Sequence, residues 1–593
     1  MESTRHLRLT VKKRNTYAAA LIGLWIALFI VAKAAFLYYN RAIEPLSLGE
    51  VWDVLMHGLL LDLRTSALLT LPVAVAMAAM RRRAGWLVVP YLTVASFFVG
   101  LVVAADMVMY EFWEFKLCAV HLSYAASPEG TTNSVSTWFL VSRLLMIGAF
   151  WLPLLWAAVR LWPGRADGER TPWPLVVCLL CAACPVGVRS AYHDAPLFRC
   201  HAATNPMFRF ASSYLDDRRF SRMGETAADT DAAPMEEYRT SNAIADTLLA
   251  TDRPNVLLIV MESFGGKFVE ELGGLPGVAP QLSRLIPESI FWENYYSNSF
   301  RTNRGIVSIC SGWLSYPTLS LMERPAMHGS IPSLSRSFQQ AGYRTGYMYG
   351  GSMSNMGKEA YLCNMGFEAI MDEKYFDRSQ LTGGWGADDG TAARRMLETI
   401  ADVDTTARWM MVWQTLSSHE PWEVPYHRLD DAKLNAFAYT DDCVGQLMDS
   451  LRTLPAWDNL LVIIIPDHGF LYDLTYDSGD FFHSPMLWTG GAIRKPRRMP
   501  TLMNQSDIAA TLLAQMGLSH EDYPWSRNVL APDYRPFVYC NYPTGIYYRD
   551  PSGETLYDLS AGLPLPFGTE ADSTRLNRAL RILGTSYRQS ARL

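Results

Sequence analysis

The sequence carries little net charge and shows no internal repeat and no recognisable cysteine framework. Its 593 residues have a formal net charge of −6, and charged residues make up 19% of the chain. The absence of a basic excess argues against nucleic acid as a partner. The nine cysteines are scattered, and no spacing selects a disulfide pair. Cys178, Cys181 and Cys184 are spaced CxxCxxC in an apolar stretch, where we interpret them as buried thiols and not as a metal site.

Long apolar runs, by contrast, are frequent in the first third of the chain. A hydrophobic share of 50% is too high for a wholly soluble protein of this length. Five runs come near the ~20 residues needed to cross a bilayer, which predicts five transmembrane helices within residues 1–190. The runs are Tyr17–Tyr39, Leu59–Met80, Ala84–Ala105, Trp138–Trp162 and Pro172–Val188. The first lacks a small-residue cleavage site, so we interpret it as an anchor and not as a removed signal peptide.

Charged side chains fall within three of these runs. Asp62 and Arg64 lie near the start of the second run and Arg143 lies in the fourth, so we expect them either at the membrane interface or in an internal ion pair. Lys33 lies in the first run and is interpreted as a lysine that extends to the interface.

Basic residues around the runs predict their orientation. They precede the first run, separate the second from the third, and lie between the fourth and the fifth. These residues are Arg5, Arg8, Lys12, Lys13, Arg14, Arg81, Arg82, Arg83, Arg160, Arg165 and Arg170. The positive-inside rule assigns all of them to the cytoplasm, so an odd number of spans puts the chain after Val188 outside it. We therefore predict a multi-pass protein of the inner or plasma membrane, with a juxtamembrane linker over 191–250 and an extracytoplasmic domain over 251–593.

From about Thr251 the pattern changes to apolar strands that alternate with helical stretches. Strands are predicted at Val256–Val260, Gly346–Gly350, Trp409–Thr415, Leu460–Ile465 and Pro485–Thr489. Helices are predicted at Ile306–Cys310, Ile331–Gln340, Thr391–Ile400, Ala436–Leu454 and Ser506–Met516. This alternation predicts a doubly wound α/β domain with a parallel or mixed sheet.

Two of the predicted strands end in residues that can bind a metal. Glu262 follows the first apolar strand, and Asp467 and His468 follow the strand Leu460–Ile465. In open α/β sheets ligands bind at the carboxyl ends of strands. Carboxylates and imidazole are ligands for hard or borderline cations, so we predict one divalent ion held by these three residues.

A hydroxyl for nucleophilic chemistry is predicted between these strands. Thr302 lies between Arg301 and Arg304 in the sequence RTNRG, just before a predicted helix. Binding to a divalent cation lowers the pKa of a hydroxyl, and a helix amino terminus with arginines favours an anionic group beside it. An ordinary helix cap is the alternative interpretation of the same residues.

Four ordered motifs carry a family resemblance: NVLLIVMESFGG, RTNRG, SHEPW and PDHG. Together they resemble the alkaline phosphatase superfamily, and most closely its membrane-bound lipoteichoic acid synthase branch. The resemblance implies an alkaline phosphatase/sulfatase-type fold after five spans. It also implies a divalent ion, manganese with magnesium or zinc as alternatives, bound by Glu262, Thr302, Asp467 and His468, with Thr302 becoming phosphorylated.

The same resemblance implies roles in substrate binding. His419 matches a histidine that contacts the substrate phosphate or the leaving oxygen, and Trp385 matches an aromatic residue beside the head group. Ala387 departs from the pattern, because glycerophosphate polymerases have an arginine there, and Arg304 is predicted to supply the missing charge. His483 is predicted as a further substrate ligand or second-metal ligand, with a structural histidine as the open alternative.

The implied activity is transfer of a phosphoglycerol-type head group from a phospholipid to a hydroxyl of a cell-envelope glycan or lipid. A phosphoethanolamine transferase with the same ligands and a phosphodiesterase-type hydrolase are the enzymatic alternatives. A sulfatase is disfavoured, because no C/S-x-P-x-R sequence follows the first strand. An inactive envelope-binding protein is the non-enzymatic alternative, which the joint presence of the four metal ligands argues against.

Overall fold

The computed structural model of the chain describes residues 2–80, 84–122, 137–162, 172–227, 233–381, 384–403, 406–566 and 572–593. Within these ranges the chain divides into two compact units. The first comprises Met1–His121, Ser136–Asp216 and Ser560–Thr569, and the second comprises Leu122–Val135, Asp217–Leu559 and Glu570–Leu593. The division at Asp216 falls inside the predicted linker, and the predicted boundaries at 190 and 250 stay predictions. Arg81–Arg83, Arg165 and Arg170, used to predict the orientation, lie outside the described residues.

The first unit is built from apolar helices and short connecting helices. In chain order they are α1 Glu2–Tyr39, α2 Leu48–His57, α3 Leu59–Ala79, α4 Gly85–Trp113, α5 Thr137–Arg160, α6 Trp173–Ala183, α7 Leu197–Ala203 and α8 Pro206–Ser213. Over the described part of the chain, α1, α3, α4 and α5 contain apolar segments of 21 to 29 residues, long enough to cross a membrane.

The fifth predicted span is not a full-length helix. α6 has 11 residues and ends at Ala183, which gives a length of ~16 Å against a hydrocarbon core of ~30 Å. The cause is Pro185, because a proline disfavours helical geometry at the residue before it, and Cys184 has left the helix with ψ 129°. Within the described ranges, four long spans are therefore present where five were predicted.

Two charged residues of these helices, Lys33 and Asp62, form an ion pair. Lys33 is buried and donates to Asp62 at 2.6 Å, and Asn205 donates to the other carboxylate oxygen at 2.8 Å. The interpretation of Lys33 as extending to the interface was therefore wrong, because a carboxylate on the neighbouring helix satisfies it inside the unit. Arg64 donates to the carbonyls of Ala182 and Val186 and does not pair with Asp62.

The second unit contains the predicted alternation of strands and helices. The remaining helices of the chain are α9 Asp216–Ala227, α10 Ala233–Tyr238, α11 Pro280–Leu285, α12 Thr302–Ser311, α13 Leu334–Gln340, α14 Lys358–Asn364, α15 Asp389–Ala401, α16 Ala432–Leu451, α17 Asp507–Gln515 and α18 Ser573–Ser590. The strands are β1 Asn255–Met261, β2 Ile290–Trp292, β3 Tyr295–Tyr296, β4 Tyr343–Tyr349, β5 Ala369–Met371, β6 Arg408–Gln414, β7 Leu460–Pro466, β8 His483–Ser484, β9 Leu487–Thr489, β10 Arg497–Met499, β11 Met503–Asn504, β12 Val538–Tyr542, β13 Gly545–Asp550, β14 Gly553–Asp558 and β15 Leu563–Leu565.

The main sheet has eight strands in the order β10-β2-β9-β7-β1-β6-β4-β5. The strands from β7 to β5 run parallel, whereas β9 is antiparallel to both of its neighbours, so the sheet is mixed. Successive residues of β1 enter different cores: Val256, Leu258 and Val260 pack on one face, and Leu257 and Ile259 on the other. Burial on both faces explains why this strand is apolar without alternation. The predicted doubly wound mixed sheet is confirmed.

Two smaller sheets lie outside this pattern. β3 pairs with β8 and β11, and β12, β13 and β14 form an antiparallel meander. The sequence analysis did not predict the meander. Its strands are rich in aromatic residues at both faces, so no polar-apolar alternation indicates them.

Candidate metal centre

Glu262 lies at the point where β1 leaves the sheet. Its side chain is buried, and its amide donates to the Thr415 hydroxyl at 2.8 Å. Ser263 follows with φ 58°, and this left-handed turn directs its amide to Asp467 Oδ1 at 2.8 Å. The ends of two neighbouring parallel strands are thereby joined by hydrogen bonds.

Asp467 and His468 follow β7, whose last residue is in register with the last residue of β1. Asp467 Oδ1 accepts from the amides of Ser263 and His468, both at 2.8 Å. Asp467 Oδ2 is buried and has no hydrogen-bond partner among the described residues. His468 Nδ1 donates to the Gly469 carbonyl at 2.7 Å, which leaves the lone pair of Nε2 available to the site.

Thr302 is the first residue of α12, so its hydroxyl lies at a helix amino terminus. The hydroxyl is 3.3 and 3.2 Å from the two carboxylate oxygens of Glu262 and 3.4 Å from His468 Nε2. His468 Nε2 is in turn 3.6 Å from Glu262 Oε1 and 3.7 Å from Asp467 Oδ2. The structure thus brings together the four residues that the sequence analysis predicted as metal ligands.

The donor atoms of this cluster fit one divalent ion. Atoms bound ~2.0–2.1 Å from a tetrahedral ion lie ~3.3 Å from one another, close to the spacings between these side chains. A buried carboxylate oxygen without a partner costs free energy unless a cation or a proton compensates it, and Asp467 Oδ2 is such an atom. Three oxygen donors and one imidazole suit manganese, magnesium or zinc.

The pKa values in the cluster reflect its excess of negative charge. Burial, and then the charge of Glu262, raises the pKa of Asp467 well above its usual value. Burial lowers the pKa of His468 to about 4, so its imidazole is neutral at pH 7, as a metal ligand must be. Burial opposes ionisation of Glu262 as well, but the neighbouring His468 and His419 outweigh it and lower the pKa of Glu262.

His419 forms an ion pair with the next residue. His419 Nδ1 lies 2.9 Å from Glu420 Oε2 and 3.2 Å from the Glu420 carbonyl. Burial lowers the pKa of His419, but the charge and hydrogen bond of Glu420 outweigh burial and raise it to about 9. The pKa of Glu420 is lowered to about 2, since the charge of His419 outweighs burial there. His419 is therefore an imidazolium at neutral pH.

Trp385 contacts this ion pair. Its ring centroid is 4.4 Å from that of His419, and Trp385 Nε1 donates to the Glu420 carbonyl at 2.5 Å. Ala387, two residues later, is fully buried. Asp389 then accepts from the amides of Leu416 and Ser417, at 2.7 and 3.2 Å, and so fixes the loop that carries His419.

Arg304 and His483 do not join the cluster. Arg304 is buried, donates to the Tyr316 carbonyl at 3.0 Å and to Asn303 at 3.2 Å, and covers the Phe300 ring. These contacts give Arg304 a structural role in place of the predicted charge for the substrate. His483 Nε2 lies 2.8 Å from the Glu293 carbonyl, and its ring stacks on Tyr296, which favours the structural alternative.

The sequence analysis missed two side chains around the cluster, Lys358 and Gln414. Lys358 is buried, donates to Gln414 at 3.1 Å and lies over the Tyr349 ring, while Gln414 donates to Glu262 at 3.4 Å. Burial lowers the pKa of Lys358 to about 8, against the opposing charges of Glu262 and Asp467. Arg301 contributes positive charge to both Glu420 and His468. Gln414 ends a mostly apolar strand, and a polar residue in that position could have indicated a side chain near the metal centre.

Comparison with known proteins agrees with this geometry. Residues 254–518 match the sulfatase family. The chain is 23% identical over 318 residues to phosphoglycerol transferase I of Xanthomonas campestris pv. campestris (strain B100), a match that covers 48% of this chain and 44% of that protein. The chain thus spans less than half the length of this relative.

Solved structures show the fold. An alkaline phosphatase superfamily protein from Vibrio parahaemolyticus matches with TM-score 0.53 and 21% identity, over 63% of this chain and 96% of that one. Lipoteichoic acid synthase LtaP from Listeria monocytogenes matches with TM-score 0.51 and 16% identity, over 61% and 99% of the two chains. The second unit has the alkaline phosphatase/sulfatase fold, and the resemblance to that superfamily is confirmed.

Proposed function

Starting from a unit with the alkaline phosphatase fold, we propose that this chain is a membrane-bound, metal-dependent phosphotransferase. It moves a phosphoglycerol-type head group from a phospholipid to a hydroxyl of a cell-envelope glycan or lipid, through a phosphothreonine at Thr302. The observation that carries this proposal is the position of the Thr302 hydroxyl, 3.2 to 3.4 Å from the Glu262 carboxylate and His468 Nε2 at the start of a helix.

The ion would be held by Glu262, Asp467, His468 and Thr302. When bound, it supplies Lewis acidity, which lowers the pKa of a coordinated hydroxyl and offsets charge on the phosphoryl oxygens. Manganese is the expected ion from the family resemblance, with magnesium and zinc as alternatives.

In the first step Thr302 Oγ1, already ionised to the alkoxide with its proton released to solvent, attacks the phosphorus of the donor in line with the glycerolipid oxygen. The bond between threonine oxygen and phosphorus forms as the bond to the lipid oxygen breaks. The amino terminus of α12 and Arg301 favour the charge on the phosphoryl oxygens. His419, charged because of Glu420, gives its proton to the leaving oxygen, so diacylglycerol departs as a neutral alcohol.

In the second step the acceptor hydroxyl attacks the phosphothreonine. His419 is then neutral and accepts the proton of that hydroxyl, which returns the histidine to its starting state. Thr302 leaves as the group it was at the outset, and the head group ends on the acceptor. The same two steps with water as acceptor describe the hydrolase alternative.

The head group is the open choice in this proposal. Trp385 contacts His419 and would lie beside the head group, as the resemblance implies. Ala387 is buried and brings no positive charge to this region, and the charge of Glu420 is paired with that of His419. The missing positive charge at Ala387 and the ring of Trp385 favour phosphoethanolamine as the second candidate, since an ammonium group suits an aromatic surrounding.

The membrane location also belongs to the proposal. The four long apolar helices support a membrane protein, and a phospholipid donor suits a site anchored at a lipid surface. The extracytoplasmic position of the second unit depends on the segment after α5 crossing the membrane as well.

The test uses the full-length protein in detergent with manganese and vesicles of either phosphatidylglycerol or phosphatidylethanolamine. Mass spectrometry of the peptide that contains Thr302 identifies the adduct. We expect a phosphoglycerol adduct that is absent in Thr302→Ala and present in Thr453→Ala, an exposed threonine that serves as control. An adduct from phosphatidylethanolamine alone selects the second candidate. Full transfer activity in Thr302→Ala would refute the proposed nucleophile.

A further inference from the structure

A second group of metal-binding side chains lies in the first unit. Asp53 and His57 lie one turn apart on α2, and His193 follows the short 3-10 turn Val188–Ala191. His57 Nδ1 is 3.1 Å from Asp53 Oδ1, and His193 Nε2 is 2.9 Å from Asp53 Oδ2. The two imidazole rings are parallel, with centroids 3.9 Å apart. Two histidines from distant parts of the chain therefore approach one carboxylate.

His193 is oriented in the way a metal ligand is. Its Nδ1 lies 3.3 Å from the Ala191 carbonyl, which can only accept, so Nδ1 carries the hydrogen of this contact. Metal-bound histidines characteristically donate their other ring N–H to such a carbonyl. Nε2 is buried, and over the described ranges it makes no hydrogen bond of good geometry, although Asp53 Oδ2 is close. A buried ring nitrogen without a hydrogen bond, 2.9 Å from a carboxylate oxygen, is compensated if a cation lies between the two atoms.

We propose that Asp53, His57 and His193 bind a divalent transition metal of the zinc type. The 2.9 Å separation between His193 Nε2 and Asp53 Oδ2 is near the ~3.3 Å between neighbouring ligand atoms of a tetrahedral zinc site. His57 Nδ1 lies 3.0 Å from the Asp53 main-chain carbonyl and so carries a hydrogen, which leaves Nε2 as the ligand atom of His57. Two imidazoles and one carboxylate match zinc, cobalt or nickel, whereas magnesium and calcium prefer oxygen ligands. This site has two nitrogen ligands, whereas the cluster around Glu262 has mainly oxygen ligands, so the two sites suit different metals. The proposal is independent of the proposed transferase activity.

The surroundings allow an ion to enter. The side chains of His57 and Asp53 are 40% and 48% exposed, whereas that of His193 is 12% exposed. Parallel rings cannot direct both lone pairs at one point, so His57, at the exposed end of α2, turns when the ion binds. The fourth position is left to water.

The ion would join the connection between α1 and α3 to the segment that follows α6. These segments are far apart in sequence. An ion that binds the folded chain more tightly than the unfolded chain stabilises the folded state by the difference between the two binding free energies. We therefore assign the site a structural role in the first unit. Its occupancy is expected to raise the thermal midpoint of the protein.

The experiment measures zinc in the full-length protein in detergent, with Glu262→Ala/Asp467→Asn as background so that the second-unit cluster does not contribute. Metal content is read after removal of free zinc, and the thermal midpoint is read with zinc and with chelator. We expect one zinc per chain in this background and a rise in the midpoint, both lost in His193→Ala and in Asp53→Asn. The exposed His427→Ala is the control and is expected to retain both.

Two results would overturn the proposal. One is equal zinc content and an equal rise of the midpoint in His193→Ala and the control. The other is the absence of bound zinc or cobalt in the background protein, which would make the group a hydrogen-bonded His-Asp-His cluster. The thermal midpoint measured in chelator should be the same for all variants, which verifies that the substitutions leave the fold intact. If His193→Ala does not fold, the zinc content and midpoint of Asp53→Asn decide the question.

Discussion

Glu420 keeps a positive charge on His419, and its replacement by glutamine isolates that effect. Glutamine has nearly the same shape, and its oxygen can still accept from His419 Nδ1, which also lies 3.2 Å from the main-chain carbonyl of residue 420. The substitution therefore removes the negative charge and leaves the imidazole in position. If His419 acts as the acid that protonates the leaving oxygen, the variant loses activity at the pH where the imidazole is no longer charged.

The size of the effect follows from the pKa. With Glu420 present the pKa of His419 is raised to about 9, so at pH 8 about 90% of the enzyme carries the proton. Without the partner, burial brings the pKa below the usual ~6.5, which leaves at most ~3% protonated at pH 8 and a larger share at pH 6. Transfer in Glu420→Gln is expected to fall at least about 30-fold at pH 8 and by a smaller factor at pH 6.

The assay follows diacylglycerol release from phosphatidylglycerol vesicles by the metal-loaded protein between pH 6 and 10. A bound cation near Glu262 lowers the alkaline limit of wild type and variant alike, so the difference between the two reports Glu420 alone. Glu423→Gln, an exposed glutamate in the same loop, is the matched control. An equal loss at every pH, or an unchanged alkaline limit in Glu420→Gln, would refute the role of His419 as an acid held charged by Glu420.

Three further substitutions test the cluster and the first unit. Gly305→Ala puts a Cβ atom 2.1 Å from the Asp467 carbonyl oxygen and is expected to abolish metal retention, measured as metal per chain. In the control Gly329→Ala the new Cβ atom has no neighbour within 4 Å, so this variant should retain the ion. Asp467→Asn is expected to lose the ion while the circular dichroism spectrum stays that of the wild type; unchanged metal content would contradict its assignment as a ligand. Asp62→Ala leaves Lys33 buried without a counter-charge and is expected to cost about 3–5 kcal/mol, whereas Lys33→Met/Asp62→Leu recovers most of it. The measurement is the thermal unfolding midpoint in detergent. Equal midpoints for Asp62→Ala and Lys33→Met/Asp62→Leu would be inconsistent with an ion pair.

The cluster was predictable because of strand geometry. Glu262 and Asp467 each follow a buried apolar strand, and parallel strands end at the same edge of a sheet. The sequence therefore predicted their proximity without knowledge of any long-range contact. Thr302 was harder to predict, because RTNRG is also an ordinary helix start, and only the distance to Glu262 distinguishes the two interpretations.

Arg304 shows why charge near a motif is a weak predictor. Arg301 and Arg304 both lie close to Thr302 in the sequence, but only Arg304 belongs to α12. Arg304 is buried and donates to the Tyr316 carbonyl, whereas Arg301 precedes the helix and contributes charge to Glu420 and His468. The residue at which the helix begins separates the two arginines, and the sequence does not fix that residue. Lys358 was missed because it begins α14, a helix of seven residues, which is too short to show a clear periodic pattern.

The apolar segment after α5 was predicted as a fifth span, and in the structure it contains only the short helix α6. α6 supplies ~16 Å, and the four non-helical residues from Cys184 to Gly187 can add up to ~13 Å if extended, so together they approach the ~30 Å of a hydrocarbon core. Backbone outside a helix is tolerated at that depth only if its polar groups have partners. Arg64 on α3 donates to the carbonyls of Ala182 and Val186, which the end of the helix leaves unpaired. Arg64, an arginine within an apolar run, therefore supplies hydrogen bonds to the backbone at the end of α6, and a fifth crossing through this segment stays a prediction.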